Sequence, residues 1–598
     1  MAFKLFEKKG QQDAVVPSSP TEQNVEANPA SIEPKSEATD TANAVPSDTS
    51  DGERDEAHQF HGVAEMEAIT THWDKKSMLI AYALIYLNHW AMSMLSMTYT
   101  NLVPYVTSAF NKHGLITTTN IVSSIVGGVC RLPIAKIIDI WGRVEGFLLM
   151  ILIMTIGLIM MAVCDNVQTY AAAAVFYKIG YTGIGYVIDV FVADTSSLRN
   201  RALIMAVNST PYLATAFAGP AAAEKFYYGA GWRWGFGCFA IVIPAVCLPM
   251  AALFIYIRRQ TRLAGFAPRQ ASGRTIWEST KYYFVEFDVI GMILITAGWS
   301  LILLPLTIAT YQAEKWETPY IIAMIVLGGV LVFAFAAWEK WFSPVSFVPF
   351  NILVDRTVLP ACILSACLFV ASSLWSSYFS SFLQVALYQT ISEAGYVGSI
   401  YSLGSCVWAF ATGSLIRYTN HFKWLAMVAA PLVVMSSGLF IKYRQPGESL
   451  GSIIGCQIIM TVAAATLVVC EQMAVMTAAA HANVAVVIAL LSLFTNIGSG
   501  IGSGISGALW TNIFPQKLKE ALPQADAKTI AKIYGSLVVQ RKYPKGSAMR
   551  DGINWAYGVG MKYQSIAATA ILVLTIPLVM CWKDYNVKET RRNKGRVL

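Results

Sequence analysis

Apolar stretches recur from residue 78 onwards, separated by short polar segments. Each is about 20 residues long, enough for a helix rising 1.5 Å per residue to cross the hydrocarbon layer of a bilayer. Fourteen such runs are read, at 78–103, 116–136, 146–164, 169–193, 202–223, 235–257, 286–309, 319–338, 358–381, 394–416, 423–442, 450–471, 484–511 and 564–583. All are predicted to be helical, because a backbone in lipid has to satisfy its own N–H and C=O groups. The fifth run contains Pro211 and Pro220, which a membrane helix tolerates where neighbours satisfy the freed carbonyls. Residues 1–76 have the opposite character, rich in Ser, Thr, Glu, Ala and Pro with few large apolar side chains. Burial cannot offset the ordering entropy of such a segment, so it is expected to be disordered. It lacks the apolar core of a cleaved secretory signal, and the first run is expected to serve as the signal instead.

Two short connections echo one another. Ala135-Lys-Ile-Ile-Asp139-Ile-Trp-Gly142-Arg143 joins the second run to the third, and Gly413-Ser-Leu-Ile-Arg417-Tyr-Thr-Asn420-His421-Phe-Lys423 joins the tenth to the eleventh. Each lies between the second and third members of a block of six. The chain is therefore divided into a cytoplasmic tail (1–76), a six-helix half (77–257), a basic link (258–285), two inserted helices (286–338), a second six-helix half (339–583) and a basic tail (584–598). Membrane proteins built from repeated halves are commonly carriers whose halves rock about a central site.

Charge sets the orientation. Lys136, Arg143, Arg199, Arg201, Arg258, Arg259, Arg262, Arg269, Arg274, Lys281, Arg417 and Lys423 fall in connections on one side, and the final tail adds six more Lys or Arg. The short connections on the other side hold Lys112, Lys225, Arg233 and Lys315. The excess of Lys and Arg marks the cytoplasmic side, so both termini are expected inside. Segment 512–563 carries nine Lys or Arg yet is assigned to the outside, because at about 50 residues it is long enough for the rule to lose force. Composition agrees with a life in lipid: 13% charged and 55% apolar residues, with a mean hydropathy of +0.50. The net charge of +8 comes with no basic groove interleaved with aromatics, so nucleic acid is not an expected partner. The ten cysteines form no Cys-x-x-Cys pair and no zinc-spaced set, and no disulfide is expected.

Asp139, Gly142 and Arg143 match the loop motif Gly-x-x-x-Asp-x-x-Gly-Arg-Lys/Arg, with Ala135 for its first glycine and Val144 for its last base. Gly231-Trp-Arg-Trp-Gly-Phe236 opens the sixth run, and Tyr186-Val-Ile-Asp189-Val-Phe-Val-Ala-Asp194-Thr-Ser-Ser-Leu-Arg199-Asn-Arg201 joins the fourth run to the fifth. On these motifs the chain resembles the major facilitator superfamily. Within it, the chain resembles the fungal siderophore–iron transporters, and its pattern is most similar to carriers of fusarinine-type chelates such as triacetylfusarinine C. The resemblance implies an all-α polytopic membrane protein of the major facilitator fold, with two six-helix halves plus two inserted helices. It implies import of an intact ferric siderophore by alternating access, driven by protons, by a monomer in the bilayer of the plasma membrane, with endosomal vesicles as a second location. No resident cofactor or metal is implied, since iron enters only inside its chelate. Two other readings stay open: a drug/proton antiporter of the same fold, and a receptor that binds without transporting. Gly219-Pro220 resembles an antiporter motif, but Ala222 and Ala223 replace its following glycines. An enzyme is not expected, because the chain shows no Ser/His/Asp constellation, no His/Glu metal set and no phosphate loop.

Charges inside the runs are the candidate coupling groups. Arg131 and Asp189 lie at similar depth, roughly 8 Å inside the second and fourth runs. A lone charge there is costly, so they are expected to pair or to line one cavity. His89, flanked by Asn88 and Trp90 in the first run, titrates near physiological pH and is a candidate proton group. Asp139, Arg143 and Asp194 are expected, by the resemblance, to form a latch holding the outward-facing state. Arg417 and Glu471 stand at the corresponding places of the second half, with opposite signs. A bulky, mostly neutral chelate calls for a wide cavity of aromatics and hydrogen-bond donors. Tyr99, Tyr186, Tyr212, Phe217, Trp375, Tyr378, Tyr401, Trp408 and Asn496 are the candidates on the cavity helices implied by the fold. Tyr534, Tyr543, Tyr557 and Tyr563, in the last outside segment, are candidates for first capture of substrate.

Overall fold

The computed structural model describes residues 75–131, 133–134, 137–138, 142–195, 207–208, 210–263, 275–309, 312, 314–343, 353–478 and 484–586. Residues 1–74 of the tail expected to be disordered and most of the basic C-terminal tail lie outside them, while Lys75 and Lys76 already belong to the first helix. The first half is α1 (Lys75–Ala109), α2 (Ile116–Val129), α3 (Arg143–Val163), α4 (Val167–Thr195), α5 (Pro211–Tyr228) and α6 (Trp232–Leu263). Then come α7 (Ile276–Glu286), α8 (Val289–Leu303), α9 (Pro305–Ile308) and α10 (Pro319–Ala337). The second half is α11 (Val358–Ser376), α12 (Phe379–Ala386), α13 (Ile391–Thr419), α14 (Lys423–Tyr443), α15 (Leu450–Ala478), α16 (Val484–Ala521), α17 (Ala527–Gly535), α18 (Leu537–Lys542), α19 (Ala548–Leu572) and α20 (Thr575–Cys581).

Two large cores form, the first of which runs from the first half into Tyr378, Phe382, Trp510 and Tyr557 of the second. Phe147, Met154, Ile184, Phe191 and Phe254 anchor the first, and Leu364, Trp375, Phe422, Phe440 and Trp582 the second. Across the molecule α2 packs against α16, and α5 against α13. Polar seams tie α1 to its neighbours: Tyr82 Oη lies 2.9 Å from Thr195 Oγ1 on α4, and Ser93 bonds Thr215 on α5. On the outside of the bundle an ion pair joins Arg258 at the end of α6 to Glu145 at the start of α3. The inserted α8 and α9 lean on α2 and α16.

Glycine sets how close α16 comes. A Cβ at Gly498 would stand 2.5 Å from the Ala366 carbonyl oxygen of α11, and one at Gly502 2.4 Å from that of Val370. Small residues at four-residue steps let helix backbones touch, the usual glue where lipid removes any hydrophobic drive between helices.

Eleven of the described helices are long and apolar enough to cross a membrane. α2, α5 and α16 are not among them.

The last outside segment is largely helical. α16 continues ten residues past 511, α17 and α18 follow, and α19 begins at Ala548, sixteen residues before the expected start at 564. The early turns of α19 present Arg550, Ile553, Asn554 and Tyr557 inward and Asp551 and Trp555 outward. That amphipathic spacing dilutes the apolar run, although the segment is a continuous helix.

Candidate functional site

The face carrying the α1–α2 and α11–α13 connections is the one that Lys and Arg assign to the outside; it is called the outer face below. There the two halves are held together. Tyr105 of α1 bonds Gln384 of α12 through its hydroxyl, and Arg541 of α18 donates to Tyr105 Oη at 2.8 Å and to Gln384 Oε1 at 3.4 Å. Tyr378 donates to the Gly114 carbonyl at 2.8 Å, and the Leu537 amide to Ser108 Oγ at 3.0 Å. Glu224 of α5 accepts the Ser392 amide of α13 at 2.8 Å. Gly395 of α13 meets α5 so closely that a Cβ would lie 2.4 Å from Pro220. α17 and α18 close over this seam, with Gly535 against Asn111.

His113 sits in that closure, between α1 and α2. It is fully buried, with Ser108 Oγ 3.1 Å from Nδ1 and the Tyr378 ring edge-on beside it. Burial pushes its imidazole down to about 4, against an ordinary value of about 6.5. The closed face therefore favours neutral His113. That preference costs nothing above pH ~6.5 and weakens the closure as pH falls toward 4, by roughly 2 kcal/mol at pH 5. Thiol labelling from outside, at a cysteine replacing the pocket-lining Thr100, should rise between about pH 7 and pH 5 in the otherwise wild-type protein. His113→Gln should flatten that rise. Equal labelling at both pH values would remove His113 from the gate.

Below the closure lie the deep charges of the first half. Asp189 of α4 is exposed there, within electrostatic reach of His89 on α1 and Arg131 on α2. Tyr212 of α5 feels both Asp189 and Cys406 of α13, so this group lies between the halves. At Gly185, one turn above Asp189 on α4, a Cβ would meet nothing within 4 Å. Asp189 thus has groups of both halves near it and still keeps an exposed surface. It makes no ion pair with Arg131 within 4 Å. Arg131 instead donates to Ser492 Oγ of α16 at 3.0 Å, across the two halves. The Nδ1 of His89 lies 3.2 Å from the Ile85 carbonyl, leaving Nε2 available.

A tyrosine ladder leads from this group toward the outer face. Tyr212 and Tyr181 hydroxyls are 2.7 Å apart, the Tyr181 ring lies 5.7 Å from Tyr177, and Tyr177 stacks on Tyr99 at 4.8 Å. At its upper end is a polar cavity of about 140 Å³, lined by α1, α2 and α4, and Lys178 lines it. Lys178 is missing from the residues that the sequence singled out. The signal was present, since a lysine eleven residues into a membrane helix costs about 3 kcal/mol or more unless it has a use.

Several expected substrate residues are placed elsewhere. Trp375 is buried in the second core, where Arg444 lies over its ring and donates to its carbonyl at 2.7 Å. Tyr378 is fully buried and stacks on Trp510 at 4.1 Å as part of the outer closure. Tyr401 packs edge-on against Trp375 and Tyr186 against the first core, both half-buried. Phe217 touches Tyr396 of α13 and is 56% exposed; Trp408 is half-open and donates to Thr466 Oγ1 at 2.9 Å. Asn496 of α16 lies against Gly128 of α2. Of the outside tyrosines, Tyr557 is fully buried and donates to Gln540 at 2.7 Å, so it is core rather than a capture residue. Tyr534 and Tyr543 are half-buried against the first core, and Tyr563 is exposed along α19.

The latch is only partly in view. Asp139 lies outside the described residues, as does the side chain of Asp194. Arg143 is buried and donates to the Ile138 carbonyl at 3.1 Å. In the second half no ion pair joins Arg417 to Glu471. Arg417 is exposed on the last turn of α13, where its long stem carries the charge to water. Glu471 is buried on α15, facing Ser365 and Tyr401. Among the described residues no three His, Cys, Asp or Glu gather as a metal centre.

The architecture and these cavities can be set beside known proteins. The family profile described as Major Facilitator Superfamily matches residues 78–503. A protein of Ajellomyces capsulatus named "MFS siderochrome iron transporter 1" is 47% identical over 90% of this chain and 92% of its own length. The "Siderophore iron transporter mirB" of Emericella nidulans is 40% identical over 97% of each chain, and "Siderophore iron transporter 1" of Schizosaccharomyces pombe 35% identical over 86% of this chain and 83% of its own. Among solved structures, a bacterial homolog of the human lysosomal transporter Spinster, inward-facing and unoccupied, superposes with a TM-score of 0.55 at 14% identity, covering 85% of this chain and 98% of that one. That likeness concerns the fold. The packing of α2 on α16 and of α5 on α13, the matched profile and relatives this similar over nearly their whole length lead to one statement: the chain is a multi-pass membrane transporter of the major facilitator superfamily and belongs to its siderophore–iron transporter family.

Proposed function

We propose that this chain imports intact ferric siderophores by alternating access, driven by the proton gradient, and that its substrates are hydroxamate chelates of the fusarinine type. The reading includes fourteen membrane crossings with both termini in the cytoplasm, a monomeric carrier and a place in the plasma membrane. The observation that carries it is the Asp189–His89–Arg131 group between two halves whose outer end is closed. With Asp189 ionised, its charge offsets that of Arg131; with a proton bound, the group gains a positive charge. Such a change biases one access state over the other. His89 tunes the pH at which that happens. Arg131 adds a bond to Ser492 across the two halves.

The siderophore substrate rests on the names of the relatives and on the amphipathic cavity. Its tyrosines and hydroxyls suit a chelate that already satisfies its iron. Asp139, Arg143 and Asp194 form the latch of the opposite, outward-facing state, and Arg417 and Glu471 act separately on the second half. Tyr99, Tyr186, Tyr212, Phe217, Tyr401, Trp408 and Asn496 remain cavity candidates, while Tyr534, Tyr543 and Tyr563 serve first capture. The test is uptake of radio-iron chelates into cells lacking other carriers. Hydroxamate chelates should accumulate, and a protonophore should collapse the accumulation. Efflux of preloaded drug with no iron uptake would favour an antiporter, and binding without accumulation a receptor.

A further inference from the structure

The intramembrane lysine of α4 has no ionic partner. Lys178 forms no hydrogen bond or ion pair among the described residues, and no ionised group influences it. Its stem lies along Gly127 of α2, where a Cβ would stand 2.9 Å from Lys178 Cγ. The glycine thus makes room for the lysine to reach the cavity instead of the headgroups. Its depth rules out snorkelling to either end of α4: eleven residues separate it from the start at Val167 and seventeen from the end at Thr195, about 16 and 25 Å. Ser96, Thr100, Asn120, Ser123 and Ser124 share the cavity with Lys178, and the rest of its lining is aromatic or Ala174. Every titratable neighbour there is a tyrosine, and no carboxylate lines it.

We infer that this cavity is a subsite for an anionic oxygen group of the substrate, a free carboxylate or an ionised chelate oxygen, held by the Lys178 ammonium and the surrounding hydroxyl and amide donors. The inference rests on the siderophore reading above and refines it. A single ammonium among neutral donors lacks only a negative oxygen ligand. At about 140 Å³ the cavity holds one arm of a chelate, since sites for whole drug-sized ligands run from about 300 Å³ upward. The bulk of the chelate then lies below, beside the tyrosine ladder. The carrier should therefore rank ferric chelates by charge, favouring those with a free carboxylate over neutral ones and neutral ones over those with a free ammonium.

Three radio-iron tris-hydroxamate chelates, alike except for a free carboxylate, its methyl ester or a primary amine, provide the test. Binding to purified full-length protein and uptake into cells are both read. Wild type should bind the carboxylate form about tenfold more tightly than the ester and the amine form more weakly still. Lys178→Gln should remove the ranking while keeping ester binding, and Lys178→Arg should retain it. A wild type that binds all three equally, or a Lys178→Gln protein that keeps the ranking, overturns the subsite. The wild-type ranking decides alone if the glutamine variant does not fold. Charge-ranked binding without uptake of any chelate would instead overturn the transport reading and leave the subsite standing.

Discussion

Asp189→Asn should abolish most proton-driven accumulation of substrate, by about tenfold or more, while leaving surface expression and chelate binding close to wild type. A factor of ten needs only about 1.4 kcal/mol of bias between access states, and an exposed carboxylate within reach of Arg131 and His89 supplies one charge to be gained or lost. Asparagine keeps the size and the hydrogen-bonding oxygen but cannot take up the proton. The residual uptake should no longer respond to a protonophore or to external pH. The check is initial-rate uptake across a pH series with and without protonophore, alongside equilibrium binding to membranes. Normal, protonophore-sensitive accumulation at every pH would move the coupling site elsewhere. Buried Glu471 on α15, with Oε2 unpartnered, would then be the next carboxylate to test.

Gly395→Leu should trap the carrier with its outer face open. In the closed state a Cβ at this position would already lie 2.4 Å from Pro220 Cβ and 2.6 Å from Asn101 Oδ1, on helices of the other half. A leucine adds three more carbons against a proline ring that cannot turn away. Overpacking of this kind costs about 1–3 kcal/mol or more, and it is felt only where α5 and α13 touch. The outward-open state separates them and escapes the cost, so the population shifts rather than the fold failing. Labelling of a cysteine at position 100 by an impermeant thiol reagent should therefore rise, and uptake should fall about tenfold or more with binding from outside preserved. Gly395→Ala should give a weaker form of the same effect. Wild-type accumulation by Gly395→Leu would show that the two helices do not need this contact to close.

Much of this protein is legible in the order of its residues because lipid is a uniform demand. Any helix that faces it must be apolar for about 20 residues, and α3, α6, α8, α10 and α14 announce themselves in that way. The repeated connections around Asp139 and Arg417 expose the two halves, since each helix-to-helix turn is local in sequence. Asp189, His89 and Arg131 were also recognisable, as charges too deep in apolar runs to be accidental.

The partnerships were not recognisable, because they join residues far apart in sequence, across helices or across halves. Arg131 is 361 residues from the serine it bonds. Arg417 and Glu471 occupy matching places in the repeat, yet one faces water and the other Ser365. Tyr378 and Trp375 read as cavity aromatics on α11 and its continuation, but helix rotation, set by how α11 packs on α16, turned both into the protein. Residues 548–563 carry no membrane-length apolar run, because arginine, asparagine and aspartate dilute it. Only the packed structure supplies Gln540, Val385 and Tyr388 to satisfy Arg550, Asn554 and Tyr557. Lys178 marks the boundary most sharply. Its presence in an apolar run is a fact of sequence; that it meets donors and no carboxylate was decided by α1 and α2 folding around it.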